Sequence, residues 1–305
     1  MQSSCSPFFL EKIANMFNEE ERIVFLEESE KKRPVVIRVN TLKTTKKELA
    51  KNLSQRGMAI ENLDFYNNCL TIYDSKVPIG ATPEYLDGWY YIQGASSILS
   101  VINLDVKEHM SVLDMCASPG GKSTFIAEMM KNTGMLYLVE NNPDRISSLA
   151  GNLLRMGVQN SVVINMNVLE LEIEKVDRVL LDAPCSGTGT ISKDGKAKTL
   201  AEDDLRRYAE TQKKLILKGF DSLKGNGIMI YSTCSVLADE NECVVEYLLR
   251  KRKNAKILEC EGNVGKRGFT AFRGMFFDAK MKYARRIFPH IHNMDGFFFV
   301  KILKA

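Results

Sequence analysis

The amino-acid sequence predicts an α/β fold, a parallel sheet built from repeated strand–helix units and preceded by a small α+β domain. Two observations carry this. From Ser111 onward, short apolar runs alternate with amphipathic helical segments, the pattern of a sheet with helices on both faces. Ahead of them lies a compact strand–helix–strand unit, which ends near residue 85 where Pro78, Gly80 and Pro83 break regular structure.

Taken in order, residues 8–30 read as one or two short helices, with Phe9, Ile13, Phe17, Ile23, Val24 and Leu26 apolar among many acids. Val35–Val39 reads as a strand, Thr44 as the cap of a polar helix reaching about Arg56, and Cys69–Tyr73 as a second strand. A helix over Ala95–Leu104 leads into the larger domain. Strands are expected there at Ser111–Met115, Met135–Val139, Ser161–Asn165, Val176–Leu181 and Ile228–Tyr231. The helices between them are expected at Ser123–Lys131, Pro143–Met156, Asp203–Leu223 and Asp239–Arg250. After an irregular basic connection, Gly296–Leu303 reads as a last strand. Internal repeats and low-complexity segments are absent.

Composition sets outer limits. A chain of 305 residues holds one large domain and a smaller one, since single cores stop growing near about 250–300 residues. With 45% hydrophobic and 26% charged residues it is neither disordered nor collagenous. The net charge of +4 says little by itself. Its distribution says more: Arg250–Arg286 carries twelve Lys or Arg against Glu259, Glu261 and Asp278, either a solvated face or a surface for phosphates. Seven cysteines without regular spacing form no disulfide framework, and with no CxxC pair a structural zinc is not expected. Glu11 and Lys12 interrupt the early apolar stretch, so no signal peptide is expected, and no run of about 18 apolar residues offers a membrane span. An intracellular, soluble protein with reduced thiols is the expectation.

The first strand of the larger domain runs into Asp114-Met115-Cys116-Ala117-Ser118-Pro119-Gly120-Gly121-Lys122-Ser123. A glycine-bearing turn at the carboxyl end of such a strand is where open α/β sheets bind ligands. It is not a P-loop, because Cys116 stands where the first glycine belongs, and the dinucleotide GxGxxG is absent. About 20 residues on, the second strand ends at Glu140, where an acid accepts both ribose hydroxyls of a nucleoside. Beside Asn141 and Pro143 it would also serve as a helix-start acid. Asn167, at the end of the third strand, suits either an adenine contact or a simple turn. A nucleoside site without phosphate machinery points to S-adenosylmethionine.

Two further strands end in cysteine-bearing loops, Asp182-Ala183-Pro184-Cys185-Ser186-Gly187-Thr188-Gly189 and Tyr231-Ser232-Thr233-Cys234-Ser235. Parallel strands project both ends over one face, so Cys185 and Cys234 are expected to converge. A lone Cys is usually a small core residue, the reading kept for Cys5, Cys69, Cys243 and Cys260. Two thiols beside a methyl donor suit cytosine C5, a poor carbon nucleophile. A thiolate adding to C6 makes C5 enamine-like and able to take the sulfonium methyl; loss of the C5 proton then expels the thiol. A buried, protonated Asp182 would donate to N3, and Lys122 would steady the base or depress a thiol pKa. On this chemistry either cysteine is eligible as nucleophile.

The loops DMCASPGGKS, DAPCSGTG and YSTCS together resemble the RNA cytosine-5 methyltransferases of the Nop/Sun (Fmu) family. The similarity extends to RVNTLK at Arg38–Lys43 and GWYYIQGASS at Gly88–Ser97. The segments Phe269–Gly274 and Pro289–Phe298 look most like the eukaryotic nucleolar branch, which modifies large-subunit ribosomal RNA. The resemblance implies a Rossmann-like S-adenosylmethionine-dependent methyltransferase core over residues 86–305. It is preceded, over residues 1–85, by N-terminal helices and a small α+β (RRM-like) RNA-binding domain. It implies that Cys234 attacks and Cys185 assists release, and that S-adenosylmethionine lies against Cys116–Lys122, Glu140, Asn167 and Asp182. Arg145 matches a family arginine expected to brace the site. The family carries Asp where Asn167 stands, so weaker cofactor binding is expected.

The resemblance further implies ribosomal RNA in pre-ribosomal particles as partner, a nucleolar location, and a monomer close to the minimal catalytic unit. A ribosome-assembly role or the same chemistry on transfer RNA are the competing readings. His290 and His292, with only His109 besides, are expected to be structural or RNA-facing rather than metal ligands. Trp89 and its neighbouring tyrosines are expected to pack between the domains rather than stack on bases.

Overall fold

A computed structural model of the chain describes residues 5–305. It divides into two compact units: the residues up to Arg33 together with Ile173–Ala305, and Pro34–Glu172.

The first unit opens with α1 (Pro7–Ala14) and α2 (Glu19–Glu30). Each is started by a side chain: Ser6 accepts from the Phe9 N–H and Asn18 from the Glu21 N–H, which is why one apolar stretch becomes two helices. Phe9, Ile13 and Phe25 bury their side chains in a cluster with Leu200, Leu205, Val236, Leu237 and Phe288.

The second unit begins with β1 (Val35–Val39), α3 (Lys46–Gln55), β2 (Ala59–Asn62), β3 (Cys69–Asp74), α4 (Pro83–Leu86) and β4 (Tyr90–Ile92). The cap of α3 is Thr45, which accepts from the Glu48 N–H, not Thr44, whose hydroxyl meets the Glu48 carboxylate instead. The four strands form an antiparallel sheet in the order β2-β3-β1-β4, a split βαβ arrangement. One face holds Ile37, Val39, Leu70 and Ile72 against Leu49 and Leu53 of α3. The other is covered too. Arg38, fully buried, donates to Thr124 and Gln93 and pairs with Glu128. RNA-recognition sheets stack bases on exposed aromatics of that face; here it is closed.

The unit continues with α5 (Ala95–Asn103), β5 (Ser111–Asp114), α6 (Gly121–Met129), β6 (Met135–Glu140), α7 (Pro143–Met156) and β7 (Ser161–Asn165). The strands β5, β6 and β7 pair in parallel, as the strand–helix alternation requires.

Back in the first unit, β8 (Val176–Asp182) pairs in parallel with β9 (Leu223–Thr233) across α8 (Glu202–Asp221). After α9 (Glu242–Lys251) the chain makes β10 (Ala255–Leu258), β11 (Lys266–Arg267), the hairpin β12 (Ala271–Phe272) and β13 (Met275–Phe276), and β14 (Arg285–Ile287). A short α10 (Pro289–His292) precedes β15 (Phe297–Lys304). The repeated strand–helix units pair in parallel as expected, and the strands after them do not. β15 runs antiparallel to β9, β10 and β14, so the architecture is mixed α/β.

Candidate active site

The ends of β8 and β9 bring Cys185 and Cys234 together, with their sulfurs 2.8 Å apart. That is longer than a disulfide bond of about 2.05 Å, so both are thiols in hydrogen-bond contact. Both are half-buried. The Cys185 thiol is pushed well above its ordinary value, first by Cys234 beside it, then by burial and by Glu240. The protonated form of Cys185 is thereby favoured, and either sulfur can serve as the donor of the contact.

The loops carrying the pair are laced to each other. The Gly189 N–H donates to the Cys234 carbonyl at 2.8 Å, the Val236 N–H to the Thr188 hydroxyl, and the Thr188 and Ser235 hydroxyls meet at 3.0 Å. A Cβ on Gly189 would fall 2.2 Å from the Gly296 carbonyl and 2.7 Å from that of Cys234, so only glycine allows this approach.

Beneath Cys185 lies Glu240, fully buried, which the sequence reading did not single out. Its carboxylate accepts from the Ser186 N–H at 2.9 Å, from the Ser186 hydroxyl, and from the Gln212 amide at 3.0 Å. Gln212, buried on α8, also donates to the Pro184 carbonyl at 2.9 Å. Burial pushes the Glu240 carboxyl up, against these hydrogen bonds. Asp182 is half-buried rather than buried, and accepts a hydrogen bond from the Ser232 hydroxyl at 2.8 Å.

In the second unit the turn between β5 and α6 is built as a backbone cradle. Asp114, also passed over in the sequence, accepts from the Ser123 hydroxyl at 2.8 Å and from the Cys116 N–H. The Ala117 N–H bonds the Val139 carbonyl, and the Gly120 N–H the Ala117 carbonyl. Lys122 is half-buried in the first turn of α6. Gly121 admits Tyr91, because a Cβ there would lie 2.9 Å from the ring.

Glu140 ends β6 with 3% of its surface exposed; one oxygen accepts from the Asn142 N–H, the other pairs with Arg145 at 3.3 Å. Arg145 also donates to the Ser118 carbonyl at 2.7 Å, and the Ser118 hydroxyl donates to the Arg145 carbonyl. Pro119 is exposed, its carbonyl held by Asn152. Thus Ser118, Glu140 and Arg145 are brought together. Asn167 is exposed, and its carbonyl oxygen caps the turn Val168–Glu170 by accepting from the Leu169 N–H.

His290 packs its ring among Phe17, Phe25 and Phe288 and meets Glu21 at 3.2 Å, while His292 Nδ1 accepts from the Phe288 N–H. No group of three metal-ligating side chains occurs among the described residues. No helix there is long and apolar enough to cross a membrane. Trp89 and Tyr90 pack into the small sheet's core.

Residues 101–303 match the family model described as 16S rRNA methyltransferase RsmB/F, and residues 6–95 match the N-terminal domain of 16S rRNA methyltransferase RsmF. The chain is 45% identical to a 28S rRNA (cytosine-C(5))-methyltransferase of Mus musculus, over 99% of this chain and 39% of that protein. It is 43% identical to the 25S rRNA (cytosine-C(5))-methyltransferase nop2 of Schizosaccharomyces pombe, over 98% of this chain and 51% of that one. It therefore spans two fifths to half the length of these relatives. Among solved structures, a methyltransferase homologue from Pyrococcus horikoshii aligns with a TM-score of 0.87 and 34% identity, over 98% of this chain and 100% of that one. These matches agree with the resemblance carried by the three loops, and the chain belongs to the RsmB/F family of rRNA methyltransferases.

Proposed function

We propose that the chain transfers a methyl group from S-adenosylmethionine to C5 of a cytosine in large-subunit ribosomal RNA, through a covalent adduct between Cys234 and C6. The observation that carries this reading is the thiol pair, with its sulfurs 2.8 Å apart at the ends of two neighbouring strands. The resemblance to the family assigns the attack to Cys234, and the pair's geometry leaves Cys185 as the thiol beside it. Cys234 adds to C6 as its thiolate, its proton having passed to water, and the C5–C6 electron pair is drawn toward N3; Asp182, on the same loop as Cys185 and steadied by Ser232, is the residue proposed to face that nitrogen. The cofactor supplies an electrophilic sulfonium methyl, and C5 takes it. C5 then sheds its proton to water, the C5–C6 double bond re-forms, and Cys234 leaves as a thiolate. The S–H of Cys185 meets that departing sulfur, so its role falls in release rather than attack.

The cradle Cys116–Lys122 with Glu140, Arg145, Asn167 and Asp182 is the proposed cofactor site. It fits the chemistry of a nucleoside: each Glu140 oxygen carries a second lone pair beyond its present partner, enough for two ribose hydroxyls. Arg145 acts by holding Glu140 to the Ser118 backbone. Asn167 takes the adenine side, with weaker binding than an acid would give. Since the small sheet closes its aromatic-reading face, RNA binding is assigned mainly to the basic Arg250–Arg286 segment, of which only Arg285 and Arg286 are buried among the basic residues. Work in pre-ribosomal particles, in the nucleolus and as a monomer belongs to the same reading.

The test is direct. Purified chain, methyl-labelled S-adenosylmethionine and large-subunit ribosomal RNA are expected to yield 5-methylcytosine on nucleoside analysis. Label appearing on another base, or on transfer RNA alone, would overturn the proposal.

A further inference from the structure

The segment between β11 and β14 holds a feature that the proposed reaction does not use. Arg286, fully buried, is gripped at 2.6 and 2.7 Å by both oxygens of Glu242. Its guanidinium lies 3.9 Å from the centre of the Phe269 ring. Phe272 stacks on Phe269 with ring centres 5.2 Å apart and planes within 5°. A column thus rises from a buried ion pair, through a cation–π contact and a stacked ring pair, to the half-buried Phe272 on the hairpin.

Phe272 also borders a concavity. Its other walls are Lys12 of α1, Asn15 and Met16 just past that helix, Leu237, Ala238 and Asp239, and Arg273 and Met275 of the hairpin. Leu237 follows Cys234 by three residues, so this wall lies within about 11 Å of the nucleophile.

The tip of the hairpin is the second, independent observation. Arg273 and Gly274 form its two-residue turn with φ of +48° and +76°. Such a turn asks for positive φ at both positions, and Asn or Gly usually occupy them. An arginine held in the left-handed region costs backbone strain, of the kind found at binding sites. Arg273 is exposed and borders the same concavity as Phe272.

We propose that this hairpin is a base-stacking subsite, in which an unpaired nucleotide flanking the target cytosine stacks on Phe272 while its phosphate pairs with Arg273. An aromatic ring beside a guanidinium is how single-stranded nucleic acid is held without sequence preference. The surrounding charge agrees, since Lys266, Arg267, Lys280 and Lys282 on the flanking segments are exposed. The proposal rests on the reading that RNA is the substrate.

The experiment compares affinity for a single-stranded RNA oligonucleotide with affinity for inorganic polyphosphate, which has charge but no bases. Phe272→Ala is expected to weaken RNA binding about five-fold to a hundred-fold, as removal of a stacking aromatic does, and to leave polyphosphate binding unchanged. Phe272→Tyr keeps the ring and should bind RNA like wild type, while Arg273→Ala should weaken both probes. Equal RNA affinity for wild type and Phe272→Ala overturns the inference and marks the hairpin as a face for something other than RNA, a protein partner for instance. A wild-type chain with no affinity for RNA removes the substrate reading itself, which is a different result.

Discussion

Glu240→Ala should convert a turning-over enzyme into one that stalls on its covalent intermediate. The carboxylate accepts from the Ser186 N–H, the Ser186 hydroxyl and Gln212. After truncation, Gln212 keeps the Pro184 carbonyl and the Ser186 hydroxyl can turn to Thr188 or Ser235. The Ser186 N–H has no such alternative, and a buried donor left unpaired costs about 1–3 kcal/mol. With the cavity left behind, the loss comes to about 3 kcal/mol, or a melting point lower by about 6–12 °C at 2–4 °C per kcal/mol. The protein should remain folded, but Cys185 loses the anchor of its neighbour and drifts from Cys234. A hydrogen bond to a departing thiolate is worth about 1.5–3 kcal/mol, so release should slow on the order of ten- to a hundred-fold. On a denaturing gel the variant should show an RNA–protein band at steady state. Glu240→Gln, which keeps an acceptor for the Ser186 N–H, should restore release. A folded Glu240→Ala protein with wild-type turnover and no trapped band would refute the reasoning.

Two other outcomes follow from the same geometry. Gly121→Ala places a methyl 2.9 Å from Tyr91 and should cost about 1–3 kcal/mol of strain, lowering the melting point by several degrees and weakening S-adenosylmethionine binding by calorimetry; no change in either would contradict the packing. Burial holds His292 below its ordinary value of 6.5, so between its folded pKa and 6.5 the unfolded chain binds the extra proton. Stability should therefore fall as pH drops below 6.5, and melting curves of His292→Gln between pH 7.5 and 5.5 should be flatter than those of wild type.

Much of this was legible in the sequence because apolar runs mark buried strands. Ser161–Asn165 and Pro143–Met156 are found where periodicity puts them. Elements without such runs escaped. β2 is almost wholly exposed, Lys224, Gly225 and Asn226 near the start of β9 are exposed, and β10, β11 and β14 lie in a stretch that reads as basic and irregular. The antiparallel course of β15 could not be read either, since one strand's residues look alike in both directions. The thiol pair was foreseeable from two loops at strand ends. Glu240 was not: among the acids of Ala238-Asp239-Glu240-Asn241-Glu242 it looks like any helix-start carboxylate, and only α8 and the Cys185 loop bury it. Asp114 was hidden in the same way: as the last residue of β5 it looks like any strand-end acid, and its bonds to Ser123 and the Cys116 N–H form only once the turn folds back.

The central claim is that Cys234 attacks and Cys185 releases. Cys185→Ala and Cys234→Ala, each incubated with target RNA and S-adenosylmethionine and run on a denaturing gel, test it most directly. The account predicts a stable, methylated RNA adduct on Cys185→Ala and none on Cys234→Ala, which should also make no 5-methylcytosine. Methylation by Cys234→Ala, or an adduct on it and not on Cys185→Ala, would contradict the account.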